Sequence, residues 1–225
     1  MFLNTEKIEK NSNEFPSLLK EISSVPNSIY YQGNLPNDNE LCIAIVGTRK
    51  ASEYGQKTAE SIAYNLAKEG VTIVSGLALG IDTSAHKGAL LAGGKTVAVL
   101  GHGLDRIYPT RNKELAKEII DNQGCLISEY KEGASITPKN FLARNRIVSG
   151  LSKAIIVIEA PYRSGSISTA GHAGDQGRDV CVVPGPVNSP TFKGSHKLIR
   201  DGARLATSAK EILEDLGFNV KNNLI

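Results

Sequence analysis

Five basic side chains, one phenylalanine and a run of hydroxyls crowd into the stretch from Lys139 to Ala170, KNFLARNRIVSGLSKAIIVIEAPYRSGSISTA. Lys139, Arg144, Arg146, Lys153 and Arg163 are opposed there by Glu159 alone. Clustered cations of this kind gather phosphate, although a solvated basic face has the same charge. Phe141 lies among them. An outward aromatic beside cations suits an unpaired nucleic-acid strand, with bases stacked on the ring and phosphates on the Lys and Arg. A Phe packed under a neighbouring loop is the other reading. Further on, Arg163-Ser-Gly-Ser-Ile-Ser-Thr169 opens a helix with glycine, hydroxyls and free amides, the ingredients of an anion site. Gly47-Thr48-Arg49 repeats the idea: a glycine lets backbone approach a phosphate, and an arginine grips it with two donors.

The elements around these residues predict where they sit. Ala143, Ile147 and Leu151 recur at helical spacing and form the inward stripe of a helix. Arg144, Asn145 and Arg146 fall off that stripe, and Phe141 projects to the opposite side, beside Lys139. The unbroken apolar run over 154–158 reads as a strand covered on both faces. The same alternation begins at Leu41. Strands are predicted over 42–46, 71–75, 96–100, 125–129 and 180–183, with helices over 52–68, from Asp82 through Leu91 and over 111–122. The last part, 196–217, reads as a short helix, an extended piece around Leu205 and a helix from Ser208. Strand, loop and helix in alternation give an α/β fold, a mostly parallel sheet with helices on both faces. Ligands bind such sheets outside the carboxyl ends of the strands. Gly47-Thr48-Arg49, Ser75-Gly76, Gly101-His102-Gly103 and Ser164 to Thr169 collect at that edge. Residues 1–40 read as a lead-in packed on this domain, with a short helix within 14–22 and a strand at Ile29-Tyr30-Tyr31. The main domain covers 41–217, and 218–225 form a tail.

Composition narrows the class. The 225 residues are 40% hydrophobic and 22% charged, with a net charge of +3. The lead-in carries −3 and the remainder +6. No apolar run is long enough to span a membrane, and the first residues do not read as a secretory signal, so a cytoplasmic protein is expected. Cys42, Cys125 and Cys181 are scattered in apolar runs and read as small buried hydrophobes. The histidines lack metal-ligand spacing. In Gly101-His-Gly-Leu-Asp-Arg106 an arginine stands where a dinucleotide fingerprint needs its third glycine, so no cofactor is expected. Glu129 and Glu159 follow strands. They suit acid–base chemistry or, equally, ion pairs with Arg144 or Arg146.

Ser75-Gly-Leu-Ala-Leu-Gly-Ile-Asp82, Phe141-Leu-Ala-Arg-Asn-Arg146, Ser164-Gly-Ser-Ile-Ser-Thr-Ala170 and Gly194-Ser-His-Lys-Leu-Ile-Arg-Asp-Gly-Ala203 together resemble the DNA processing protein A family, also called Smf. The lead-in segment Phe15–Ile22 and Gly33 fit as well, so the likeness runs over about 14–207. It implies an extended Rossmann-like domain that binds single-stranded DNA, protects incoming strands in natural transformation, helps load RecA recombinase and forms dimers. Arg49, Lys139 and Phe141 match the positions the family associates with DNA contact, and the Ser164–Thr169 segment would line the same pocket. The full set expected to meet nucleic acid is Gly47, Thr48, Arg49, Ser75, Gly76, Lys139, Phe141, Arg144, Asn145, Arg146, Arg163, Ser164, Gly165, Ser166, Ser168 and Thr169. Many members carry a C-terminal winged-helix-like domain and some an N-terminal helical one; neither is expected in these 225 residues. The main alternative is enzymatic. Lonely Guy phosphoribohydrolases resemble this fold and carry P-G-G-x-G-T-x-x-E, where this chain has Arg163 to His172 and His172 replaces the carboxylate. A nucleotide sensor using the same loop is the third reading.

Overall fold

The computed structural model describes residues 4–218. In chain order the elements are β1 (Glu6–Glu9), α1 (Ser17–Lys20), β2 (Ser28–Gly33), β3 (Cys42–Val46), α2 (Glu53–Lys68), β4 (Thr72–Ser75), α3 (Ile81–Leu91) and β5 (Thr96–Leu100). There follow α4 (Lys113–Asp121), β6 (Cys125–Ser128), α5 (Pro138–Gly150), β7 (Ala154–Val157), α6 (Gly165–Asp175), β8 (Asp179–Val182), α7 (Lys193–Arg200), β9 (Arg204–Leu205) and α8 (Ala209–Asp215). The predicted tail beyond Phe218 lies outside the described residues.

One sheet runs β1-β2-β6-β5-β4-β3-β7-β8-β9. Every pair from β6 to β9 is parallel, while β2 adds to β6 and β1 to β2 antiparallel. Alternating side chains explain why the central strands are apolar throughout. On β3 and β7, Ala44, Val46, Ile155 and Val157 face one layer, with Ile147 and Val148 of α5 and Ala170 and Ala173 of α6. Ile43, Ile45, Ile156 and, just past β7, Ile158 face the other, with Ile62 and Leu66 of α2, Ile81 and Ala85 of α3, and Ile212 and Leu213 of α8. Each such side chain taken out of water contributes about 1.5–3 kcal/mol before entropy is counted.

The lead-in is woven into this framework. Phe15, Leu19 and Ile22 are buried in the α5 layer. Gly150 lets them approach, since a Cβ there would lie 2.9 Å from both Leu19 and Ile22. Arg178 ties the segment down, donating to the Leu18 carbonyl at 2.9 Å and pairing with Glu21 at 2.9 Å. The helix expected within 14–22 is shorter, Ser17–Lys20, because Pro16 is extended (ψ 123°) and disfavours helical geometry before it. The three cysteines are buried and free, and burial pushes the Cys42 thiol up to about 12 and Cys181 up to about 11. Among the described residues no helix is long and apolar enough to cross a membrane.

Candidate nucleic-acid interface

β3 has β4 on one side and β7 on the other, so the strand order reverses there. Its following helix, α2, packs on one layer and α6, following β7, on the opposite one. The loops leaving β3 and β7 therefore part, opening a crevice at their carboxyl ends. A cleft of about 560 Å³ occupies that position, lined by Gly47, Thr48 and Arg49 from β3, Phe141, Arg144 and Asn145 from α5, and Arg163, Ser164, Gly165, Ser166 and Thr169 at the start of α6.

Close packing builds its β3 wall. The Thr48 amide donates to the Glu159 carbonyl at 2.8 Å, and the Thr48 carbonyl accepts from Ile81 at 3.3 Å. A side chain on Gly47 would collide with Ile81, so glycine is required for the strand to pass α3. Glu159 is fully buried and anchors the next helix: its Oε2 accepts from the Ser52 amide at 2.9 Å and hydroxyl at 2.8 Å. Ser52 in turn caps α2, accepting from Gly55 at 3.0 Å. Glu159 is thus neither an ion-pair partner of an arginine nor a lining residue of the cleft.

The α6 wall is an anion seat in its backbone. Ser164 caps the helix, its hydroxyl accepting from Ile167 at 3.4 Å and meeting the Ser166 hydroxyl at 2.7 Å. The amides of Gly165 and Ser166 have no acceptor among the described residues. They point along the positive end of the helix dipole.

The α5 wall departs most from expectation. Arg144 and Asn145, expected off the buried stripe, are 5% and 7% exposed. Periodicity assumes one buried face, but α6 packs along α5 and the loop after β4 runs beneath it, closing a second face. Asn145 donates to the Gly165 carbonyl at 3.1 Å and so joins the two walls. Arg144 lies across Gly76, where any Cβ would strike its guanidinium. It makes no hydrogen bond or close ion pair with a described residue, and its buried Nε has no partner. Burial lowers its affinity for its proton and Asp82 restores part of it, so it stays a cation. Asp82 accepts from the amides of Gly76 at 3.1 Å and Ala78 at 3.3 Å. Burial raises its carboxyl above the ordinary value, against the pull of Arg144 and those amides.

Arg146 belongs to another neighbourhood. It grips Glu129 with two donors, at 2.6 and 2.8 Å, and the Ser24 carbonyl at 3.0 Å. Of the two uses open to Glu129, the ion pair is the one observed. Ser75 and Gly76 also lie outside the lining: the Ser75 hydroxyl donates to the Ile45 carbonyl at 2.7 Å, beneath the floor. Ser168 is half-buried on α6 and turned from the cleft, because a helix shows only part of its first two turns to one side. Lys139 is exposed on the first turn of α5, beside the lining residue Pro138.

Phe141 combines both readings. Its ring packs against Tyr108 at 5.9 Å and His102 at 6.3 Å, so it is half-buried rather than outward. It still lines the cleft, with the Arg49 guanidinium 5.5 Å from the ring centre. Asp82 and Tyr108 line the cleft as well and were not picked out by residue type. For Asp82 the available signal was an acid in the first turn of a helix after Gly76-Leu-Ala-Leu-Gly80. Among the described residues no group of three His, Cys, Asp or Glu is placed to hold a metal ion.

A parallel α/β sheet with an anion-seating crevice at its switch point defines a Rossmann-like protein. The model of the family described as DNA recombination-mediator protein A matches residues 6–217, and the chain belongs to that family. Protein Smf of Escherichia coli is 42% identical over 96% of this chain, which spans 58% of that relative's length. The X-ray structure of DNA processing protein A from Streptococcus pneumoniae superimposes with a TM-score of 0.89 at 40% identity, over 98% of this chain and 76% of the other. The protein of that name from Helicobacter pylori, described for a single-stranded DNA binding mode, gives 0.84 at 31% identity, over 96% and 98%.

Proposed function

We propose that this protein binds single-stranded DNA by its phosphate backbone in the β3–β7 cleft, without catalysis. The observation that carries the reading is Arg144, a buried cation held across Gly76 with no bonded partner among the described residues. Burying a charge that way is costly unless an anion completes it. Arg49 and the free amides of α6 converge on the same space, and Phe141 lines it with its ring under the Arg49 guanidinium. Asp82, the one carboxylate among the described residues that line the cleft, already serves two backbone amides, which favours holding over cutting. The relatives' names support a role in DNA processing. On that basis we assign the protein to the cytoplasm, to homodimers, and to handing strands to RecA during recombination and transformation.

A salt titration of oligonucleotide binding tests the reading. Single strands bind with a logarithmic slope of about −0.7 per phosphate neutralised and with little base preference, and duplex binds more weakly. Arg49→Ala lowers affinity for all sequences alike and flattens the slope by about 0.7. Equal affinity of that variant and the parent overturns the assignment.

A further inference from the structure

The walls of the cleft differ in what they expose. From the loops that leave β3 and β7 come Arg49, Arg163 and the free amide of Gly165. From the loops that leave β5 and β6, and from α5, come Tyr108, Ile136 and Leu142, which are 45%, 36% and 53% exposed. One exposed apolar side chain is ordinary on a folded protein, but three on the wall of one cleft mark a contact surface. A polynucleotide has the same two characters, a polyanionic backbone and base faces that stack on aromatic rings.

Tyr108 is open to a base in a way that Phe141 is not. Phe141 is half-buried, with the Arg49 guanidinium 5.5 Å from its ring centre and His102 and Tyr108 packed against it. Among the described residues Tyr108 meets one other ring, Phe141, tilted at 42°, and no cation lies over it. Phe141 therefore backs Tyr108 from within the fold. The loops that carry this surface are tied down. Arg106 donates to the Ala134 carbonyl at 2.6 Å and the Gly133 amide donates to Asp105 at 3.1 Å, which joins the loop after β5 to the loop after β6. The Asn140 side chain donates to the Ser135 carbonyl at 2.9 Å and joins the second loop to α5, one residue before Ile136. Little ordering of these loops is left to oppose binding.

We infer that Tyr108, Ile136 and Leu142 form the base-contacting wall of the cleft, with a base stacked on Tyr108 while its flanking phosphates face Arg49, Arg144 and the start of α6. The inference rests on the proposed cleft function and adds an orientation of the strand to it: backbone toward β3 and α6, bases toward the loops after β5 and β6. Contact with ring faces rather than base edges requires a base without choosing among the four.

The test compares an oligothymidine of about eight nucleotides with an abasic backbone of the same length and charge. The parent binds the oligothymidine about tenfold more tightly than the abasic backbone, with the same salt slope for both. Tyr108→Ala weakens the oligothymidine by about that factor and leaves the abasic backbone as in the parent; Tyr108→Phe, which keeps the ring, retains the difference. The sequence has no tryptophan, so Tyr108→Trp is a single reporter, quenched by the oligothymidine and not by the abasic backbone. Equal affinity of the parent for the two ligands, or equal losses for both in Tyr108→Ala, overturns the inference. Unchanged oligothymidine affinity in Tyr108→Ala also overturns it and assigns the apolar wall to a protein partner. Failure of the parent to bind the abasic backbone overturns the cleft function instead.

Discussion

Arg144 and Arg146 stand two residues apart on α5 and live by opposite rules. Arg146 spends its donors within the fold, two on Glu129 and one on the Ser24 carbonyl. Arg144 is more deeply buried and bonded to nothing described. On one flank of the helix the lead-in and β6 close over a complete ion pair; on the other, a crevice stays open beside an incomplete one. Arg146 uses its donors inside the fold, whereas Arg144 lines the cleft with a guanidinium bonded to no described residue.

The comparison is sharpest for binding. Arg144→Gln lowers single-strand affinity by about 1.5–3 kcal/mol, roughly 10- to 150-fold, the worth of charge-assisted hydrogen bonds to a phosphate. Thermal unfolding of the same variant moves little beside that loss; a large drop in melting temperature with unchanged affinity erases the distinction between the two arginines. Arg146→Ala behaves in the reverse sense. It strands Glu129 and costs about 1–3 kcal/mol of stability by denaturant titration, with affinity retained. The smallest effect is expected from pH. Because the folded state raises the Asp82 pKa, its contribution to stability is fully present below the unfolded value and declines as pH rises through the folded one. Protonation also removes a negative charge from the cleft, so affinity for DNA rises a few-fold as pH falls toward that value. Asp82→Asn removes this slope; a variant with the parent's pH profile assigns the effect elsewhere.

How much of this was readable from residues alone depended on how many faces were buried. The strand at Thr96–Leu100 stands where its apolar run puts it, and the helix read over 52–68 is found at Glu53–Lys68. Central strands advertise themselves because both faces are covered. β1 does not: Glu6-Lys-Ile-Glu9 buries Ile8 alone, and an edge strand with one inward side chain resembles a polar loop. The cleft was legible as a meeting of strand-end loops, because topology forces those ends to one rim. Its floor was not. Arg144 as buried cation and Arg146 as structural tie depend on which neighbours close over α5, and those neighbours, Gly76 and Glu129, are 68 and 17 positions away in the sequence. Single-helix periodicity carries no information about them.

The bond from Asn145 to the Gly165 carbonyl has a kinetic consequence. It ties the α5 and α6 walls to each other before any ligand arrives, so those two sides of the crevice are held together. Little ordering remains to be done on arrival, and capture is governed by encounter and charge rather than by rearrangement. The empty and occupied forms should superimpose closely, and release, not entry, should be the step that substitutions along these walls retime.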